Sequence, residues 1–365
     1  MTSVTAVTSV IEAGPEAIAA EVVRDHGIQQ RRRRLTVAGL GLLLLVAVVG
    51  DVMVGGEGLR LADTVRALFT PWHAPTIDEQ IVWNIRMPMT ATGVLVGAAL
   101  ALAGAEMQTI LNNPLAEPYT LGVSAAASFG AALSLVAGLS ALPLGSLLGT
   151  AGMAWVFAML ASAVIIAFSI IRGPHTETMV LLGIAMVFLF TALLSLLQYV
   201  ASDAQLQQVV FWTLGSLSRA SWQQVAMMAV VLAIAVPLLL RASWQLTAMR
   251  LGDDRARALG VNVAKVRIVV LAGISLVAAT GVAIAGSIAF VGLVGPHVAR
   301  MLVGENHRHF VPASMFGGAL LLVASSLVSK LLVPGVIIPV GIITSIVGVP
   351  VFLGLILSRR RQLWA

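Results

Sequence analysis

The sequence predicts an all-α, polytopic membrane protein with about ten transmembrane helices. Three observations predict it. Hydrophobic residues make up 59% of the 365 residues and charged residues 10%, where soluble domains carry roughly 45–50% and 25%. Apolar runs of ~20 residues, the length that crosses a bilayer, recur along the chain. Basic residues gather in alternate connections between those runs.

Residues 1–34 form a tail, with a polar, mildly acidic stretch over 1–30 that is expected to be helical around Ile11 to Val23. Arg31 to Arg34 then abut the apolar run Leu35–Val54. The long tail and the ~20-residue apolar length argue for a retained first span rather than a cleaved signal. Glu57–Thr70 mixes Leu59, Leu61, Val65 and Leu68 with Arg60, Asp63 and Arg66, which predicts a short amphipathic helix at the outer surface. Further spans are expected at about 87–111, 119–139, 146–171, 177–200, 222–241, 266–285, 288–303, 312–333 and 340–358. With the amino terminus inside and the spans alternating, 17 of the 22 Lys and Arg residues fall inside and 5 outside. That bias fits the positive-inside rule, and one missed or extra span would scramble it.

Gly93, Gly97, Ala101 and Ala105 fall on one helix face, as do Gly145 and Gly149. Such faces let helix backbones approach closely in lipid, so tight packing is their first reading and a pore lining their second. Cysteine is absent, which excludes disulfide and thiolate chemistry. Lys265 follows Ala264 and Lys330 follows Ser329, so neither belongs to a loop that cradles ATP phosphates. The net charge of +6 lies between apolar runs rather than on an aromatic-interleaved face, and predicts no nucleic-acid partner. His297, His307 and His309 lack the one-turn repeat of a helical metal pair, so no metal is assigned. No nucleophile–base or metal-hydrolase motif appears. Glu106, Gln108, Asn112 and Asn113 cluster at the end of the second span. A carboxylate near hydrocarbon is a functional candidate, but Glu106 lies about two turns from the Asn113-Pro114 break and could reach the interface.

The densest charge is the block Leu251, Gly252, Asp253, Asp254, Arg255, Ala256, Arg257, Ala258, Leu259, Gly260. Its spacing suits a short helix with one apolar face, stopped by Gly260. Charges so clustered between apolar segments must sit in water, which suits either a docking surface for a soluble partner or a solvated loop.

Ordered motifs carry a resemblance. Arg86-Met-Pro88, Val96–Gly104, Gln108, Asn113-Pro-Leu-Ala-Glu-Pro118, Leu121-Gly-Val-Ser124, Leu251-Gly252, Ala258-Leu-Gly-Val261, Gly286–His297, His307-Arg308 and Pro339-Val-Gly341 follow one another over roughly residues 35–361. Together they resemble the permease subunit of the iron-siderophore, haem and cobalamin importers, the type II ABC importer (FecCD/BtuC-like) family. The resemblance implies a ten-helix permease domain over 35–361, with cytoplasmic coupling helices over 251–262 that insert into an ATPase. It implies a dimer of permeases, identical or paralogous, in a bacterial cytoplasmic membrane. An ATPase dimer, which carries the ATP and Mg, binds inside, and a substrate-binding protein delivers cargo outside. No cofactor is expected on this chain. Basic residues at Arg86 and Lys330 are expected to meet acids of the binding protein, and Thr176 and Glu177 to stand at the cytoplasmic gate. Gln108, Asn112 and Asn113 are expected along the translocation path.

The chain departs from the family pattern at several points. The usual Arg-x-Pro-Arg reads Arg86-Met-Pro-Met89. No acid precedes Pro339-Val-Gly341, Ser326 stands where Asp is common, and Glu177 replaces a small hydroxyl residue. Thr176 and Glu177 also suit a helix start, where a hydroxyl caps free amides and an acid meets the positive dipole end. The cargo expected from the resemblance is a ferric siderophore, with haem or cobalamin as alternatives. An ion-coupled secondary transporter is the alternative from another class, but it needs acids at mid-membrane, and these spans carry few away from their ends.

Overall fold

The computed structural model describes residues 15–55, 59–70, 76–139, 149–173, 175–333 and 335–363. Glu57 and Gly145 lie outside these. The elements are helical: α1 (Pro15–Met53), α2 (Leu61–Phe69), α3 (Ile77–Ile81), a π-helical turn (Val82–Arg86), α4 (Met87–Ile110), α5 (Val123–Val136), α6 (Thr150–Arg172), α7 (Thr176–Val200), α8 (Asp203–Thr213), α9 (Trp222–Arg241), α10 (Ser243–Met249), α11 (Asp253–Ala258), α12 (Val263–Ala285), α13 (Val291–Val303), α14 (His307–Leu331) and α15 (Val340–Leu363). No strand occurs among the described residues. Among the described residues, seven helices are long and apolar enough to cross a bilayer. Three shorter apolar helices, Val123–Val136, Val291–Val303 and Val340–Gly354, complete the ten expected spans one for one. The backbone does not break between tail and first span, because α1 runs continuously through residues 34 and 35.

The centre of the bundle is α4, which packs on α14, α12, α13 and α9. Its small residues explain this. A Cβ on Gly97 would stand 2.6 Å from the Gly318 oxygen, and one on Gly104 1.9 Å from the Gly292 oxygen. The glycine face therefore serves backbone-to-backbone packing against α14 and α13, where dispersion rather than the hydrophobic effect holds helices together.

The expected span 288–303 starts late. Residues 286–289 are non-helical and α13 begins at Val291. Its 13 residues reach roughly 20 Å, less than the ~30 Å of hydrocarbon. Non-helical backbone is tolerated there because it is covered by protein. The Gly286 position abuts the Trp212 oxygen, and Phe290, held at φ 70°, lies over Gly348. A non-glycine residue in the left-handed region is uncommon. Phe290 adopts it where the chain turns into α13 and its ring meets Phe352 at 6.5 Å.

Candidate coupling site

The arginine-rich end carries the charged block, whose core is α11, reached from α10 through the turn 250–252. Gly252 has φ 98° and ψ 154°, a combination open essentially to glycine alone. It lets the chain reverse between the two short helices. At the far end, the amide of Gly260 bonds Arg257 O at 2.9 Å and that of Val261 bonds Ala256 O at 3.0 Å. With Gly260 at φ 85°, this is the Schellman stop that the glycine predicts. Asn262 then caps α12, its Oδ1 accepting from the Lys265 amide at 3.0 Å.

The corner has two faces. Ala256, Val261 and Val263 are buried, whereas Leu251, Asp254, Arg255, Arg257, Leu259 and Gly260 are exposed. The acids divide accordingly. Asp253 turns inward and takes Nη2 of Arg267 at 2.9 and 3.2 Å. Arg267 is 3% exposed, and its Nε donates to Ile110 O, at the end of α4, at 2.7 Å. Asp254 faces solvent, with its side chain 99% exposed, and pairs only across the helix surface with Arg257 at 2.9 Å. One carboxylate thus braces the corner while its neighbour is presented.

A second brace lies beside the first. Arg250 donates to Thr109 Oγ1 of α4 at 3.3 Å and to Glu305 of the α13–α14 turn at 2.8 Å. Glu305 also lies 3.3 Å from Nε of Arg300, and Nη2 of Arg300 donates to Gln108 Oε1 at 2.9 Å. Beneath this, Glu106 Oε2 is 3.1 Å from His307 Nε2, both side chains being fully buried. His307 Nδ1 lies 3.4 Å from Thr247 Oγ1 of α10. The corner is therefore tied through side chains to α4, α12 and α14.

The structure places the remaining sequence candidates as follows. His175, at the foot of α7, lines a cleft of about 420 Å³ together with Asp253, Arg257, Asn262 and Arg267. Thr176 and Glu177 follow directly, Thr176 half-buried and Glu177 exposed. The helix cap is His175, without a side-chain hydrogen bond, so Thr176 does not cap α7. Gln108, Asn112 and Asn113 lie at the end of α4 and in the turn after it. Gln108 is buried and donates to Gly292 O at 3.2 Å. Asn112 takes φ 44° in the turn after α4. Asn113 Oδ1 accepts the Leu115 amide at 3.0 Å. These are packing and turn roles, suited to short polar side chains.

Arg86 and Lys330 also depart from expectation. Arg86 is 1% exposed and donates to Val52 O and Met53 O at 3.2 and 3.3 Å and to Thr64 Oγ1 at 3.2 Å. It satisfies the last carbonyls of α1, where a cation meets the negative end of the helix dipole. Lys330 Nζ lies 2.9 Å from Asp51 Oδ1 and 2.8 Å from Asp51 O. Neither offers its charge to a docking protein here, because a buried carboxylate and helix carbonyls engage them. Asp51, fully buried and bonded also by Thr90, was missed in the sequence. The signal was available, as a lone acid at the end of an apolar run calls for a cation.

Glu117, of the Asn113–Pro118 motif, is also buried. In the turn between α4 and α5 it lies over Gly292 and accepts a backbone hydrogen bond from Phe290. It occupies the start of α13, where free amides favour a carboxylate. Burial pushes its carboxyl up to about 7, against the opposing pull of that hydrogen bond. Among the described residues, no three His, Asp or Glu side chains come together as a metal site would need.

Among the described residues, ten apolar helices pack around a small-residue hub and carry one braced, exposed helical corner, the frame of a polytopic membrane protein. The chain belongs to the FecCD transport family, whose model matches residues 43–358. It is 36% identical over 333 residues to the hemin transport system permease protein HmuU of Yersinia pestis, covering 90% of this chain and 97% of that one. It is 34% identical over 328 residues to the molybdate import system permease protein MolB of Haemophilus influenzae, covering 88% and 95%. Among solved structures it is similar to an inward-facing conformation described as that of a metal-chelate type ABC transporter. That match has TM-score 0.77 and 33% identity over 89% of this chain and 99% of that one. The chain is thus a permease subunit of the ABC importer class, and such subunits are not themselves enzymes.

Proposed function

We propose that this chain is the permease half of an ATP-driven importer of ferric siderophores, lying in a bacterial cytoplasmic membrane with both termini inside. Two permease chains form the path between them. A pair of ATPase subunits, which hold the ATP and Mg, grips the corner 251–260, and an outer binding protein hands over the cargo. The observation that carries this reading is the two-faced corner. Asp254, Arg255, Leu251 and Leu259 are presented, while Asp253–Arg267 and Arg250–Thr109 couple the same corner to the bundle centre. The arginine excess at that end supports its inside placement. Haem and molybdate appear in the names of similar permeases, so the binding protein sets the cargo. A metal chelate is favoured by the similar solved transporter.

The test reconstitutes the permease with its cognate ATPase subunits and binding protein in proteoliposomes. Asp254→Arg with Arg255→Glu reverses the presented charges without touching the brace. ATP-driven uptake should fall by about tenfold or more, since opposed like charges cost several kcal/mol at an interface. Uptake and ATP turnover at wild-type levels would remove the coupling claim, and so would cargo flux in vesicles lacking the ATPase. Arg255→Cys, in a chain without cysteine, tests orientation, because an impermeant thiol reagent should label it only from the inside. Titrating ferric siderophore, haem, cobalamin and molybdate against the binding protein decides the cargo, and a preference for any of the last three rejects the siderophore assignment.

A further inference from the structure

At the arginine-rich end of the bundle, an open groove of about 330 Å³ runs between the α9–α10 join and the start of α12. One wall is a single helix face, where Asn262, Lys265, Val266 and Val269 stand three and four residues apart. The facing wall includes Trp244, which is 59% exposed. The α12 face changes character along its length. Asn262 and Lys265 are polar and exposed, whereas Val269 and Leu276 are apolar, 62% and 37% exposed. Between those two, Gly273 leaves the face open, since a Cβ there would meet nothing within 4 Å. Among the described residues no carboxylate lines the groove. Neither Lys265 nor Arg241, which precedes the groove residue Ala242, is in an ion pair among them.

A cationic foot beneath an open apolar wall matches the layout of a phospholipid. Leu276 lies roughly 16 Å along the helix from Lys265, about the depth of one leaflet's share of the ~30 Å of hydrocarbon. Indole and lysine side chains favour the boundary between hydrocarbon and water. A basic cleft between spans at this boundary attracts an anionic headgroup, and a lysine ammonium holds phosphate as a point charge. Water does not suit the upper wall, because valine, leucine and an open glycine offer it no hydrogen bond.

We infer that this groove holds an anionic phospholipid, with its phosphate at Lys265 and Trp244 and an acyl chain along Val266, Val269, Gly273 and Leu276. The Lys265 ammonium and the Trp244 indole N–H donate to phosphate oxygens, and Arg241 adds positive potential at the mouth. Gly260 and Val261 also line the groove, so the lipid stands against the end of the charged corner. This site does not depend on the transport reading.

The test places the full chain in phosphatidylcholine nanodiscs containing a minority of phosphatidylglycerol and counts retained phosphatidylglycerol by native mass spectrometry. Lys265→Gln should lower its affinity about fivefold, the effect of one cation at a membrane surface. Lys265→Arg should keep most of it. Arg172→Gln removes an exposed charge at the foot of α6 and should leave retention near wild type. Gly273→Leu fills the open wall without a clash. It should lower retention without lowering the thermal midpoint, because leucine is the better helix former. Equal losses in Lys265→Gln and Arg172→Gln would overturn the site in favour of diffuse attraction. Unchanged retention in Lys265→Gln would overturn the headgroup contact, and in Gly273→Leu the acyl seat. Displacement of the lipid by inorganic phosphate would make this a free-anion site, and displacement by added ATPase subunits would make it a protein contact. Either result overturns the lipid assignment.

Discussion

The two ends of the bundle use charge differently. At the end near α2, Asp51, Lys330 and Arg86 are all buried and engaged with one another's helices. Together they fasten the end of α1 to α14 and α4. At the arginine-rich end, buried and exposed charges occur side by side on one short helix. Asp253 and Arg267 fasten, while Asp254 and Arg255 are left to water. The comparison teaches that a charge at a span's end says little until its partner is known. Buried, it is a rivet. Exposed beside exposed leucines, it is the makings of a contact.

The largest effect should come from breaking the buried end. Asp51→Ala leaves the Lys330 ammonium without its carboxylate in a buried site, which costs about 3–5 kcal/mol. The thermal midpoint of the purified protein should fall sharply, and Asp51→Ala with Lys330→Met should recover much of the loss. If the double variant is no more stable than the single one, the rivet reading of this end fails. The second effect concerns Glu106 and His307. His307→Leu strands a buried carboxyl group, whereas Glu106→Leu leaves an imidazole that still faces Thr109 and Thr247. The first should cost about 2–3 kcal/mol, the range for an abandoned buried polar group, and the second clearly less. The reverse order in a denaturation series would mean that the pair does not hold α14 to α4.

Much of this was legible in the sequence, for a physical reason. Hydrocarbon imposes a length and an exclusion of charge, so the ten apolar runs appear in order and match ten helices. Gly260 shows its stop because a left-handed turn needs it, and the Gly97–Ala101 face shows close packing because small residues let helix backbones approach in lipid. The partners of charged side chains were not legible. Glu106 and His307 are 201 residues apart, and Lys330 and Asp51 are 279 apart. No local spacing announces either pair. Arg86 and Lys330 were therefore read as presented when they are enclosed. Asp253 and Asp254, adjacent and chemically identical, could not be told apart at all. The non-helical entry to α13 was also hidden, since residues 286–289 carry no charge that would set them apart from the helices beside them.

The smallest expected effect on stability divides those two aspartates, and it bears most closely on function. Asp253→Ala removes the carboxylate from Arg267, whose guanidinium is buried and keeps its bond to Ile110 O. That should cost about 1–2 kcal/mol, with part of the pair's strength already lost to solvent at the half-exposed Asp253. Asp254→Ala removes a side chain in water and should leave the thermal midpoint unchanged. Transport should respond differently. Asp253→Ala loosens the link between corner and bundle, so uptake should drop while the ATPase still binds. Asp254→Ala alters the presented face, so affinity for the ATPase should weaken in a salt-dependent way. Equal effects of the two variants on both stability and ATPase affinity would show that the corner has one face and not two. The inward brace would then be ordinary packing, with no separate part in coupling.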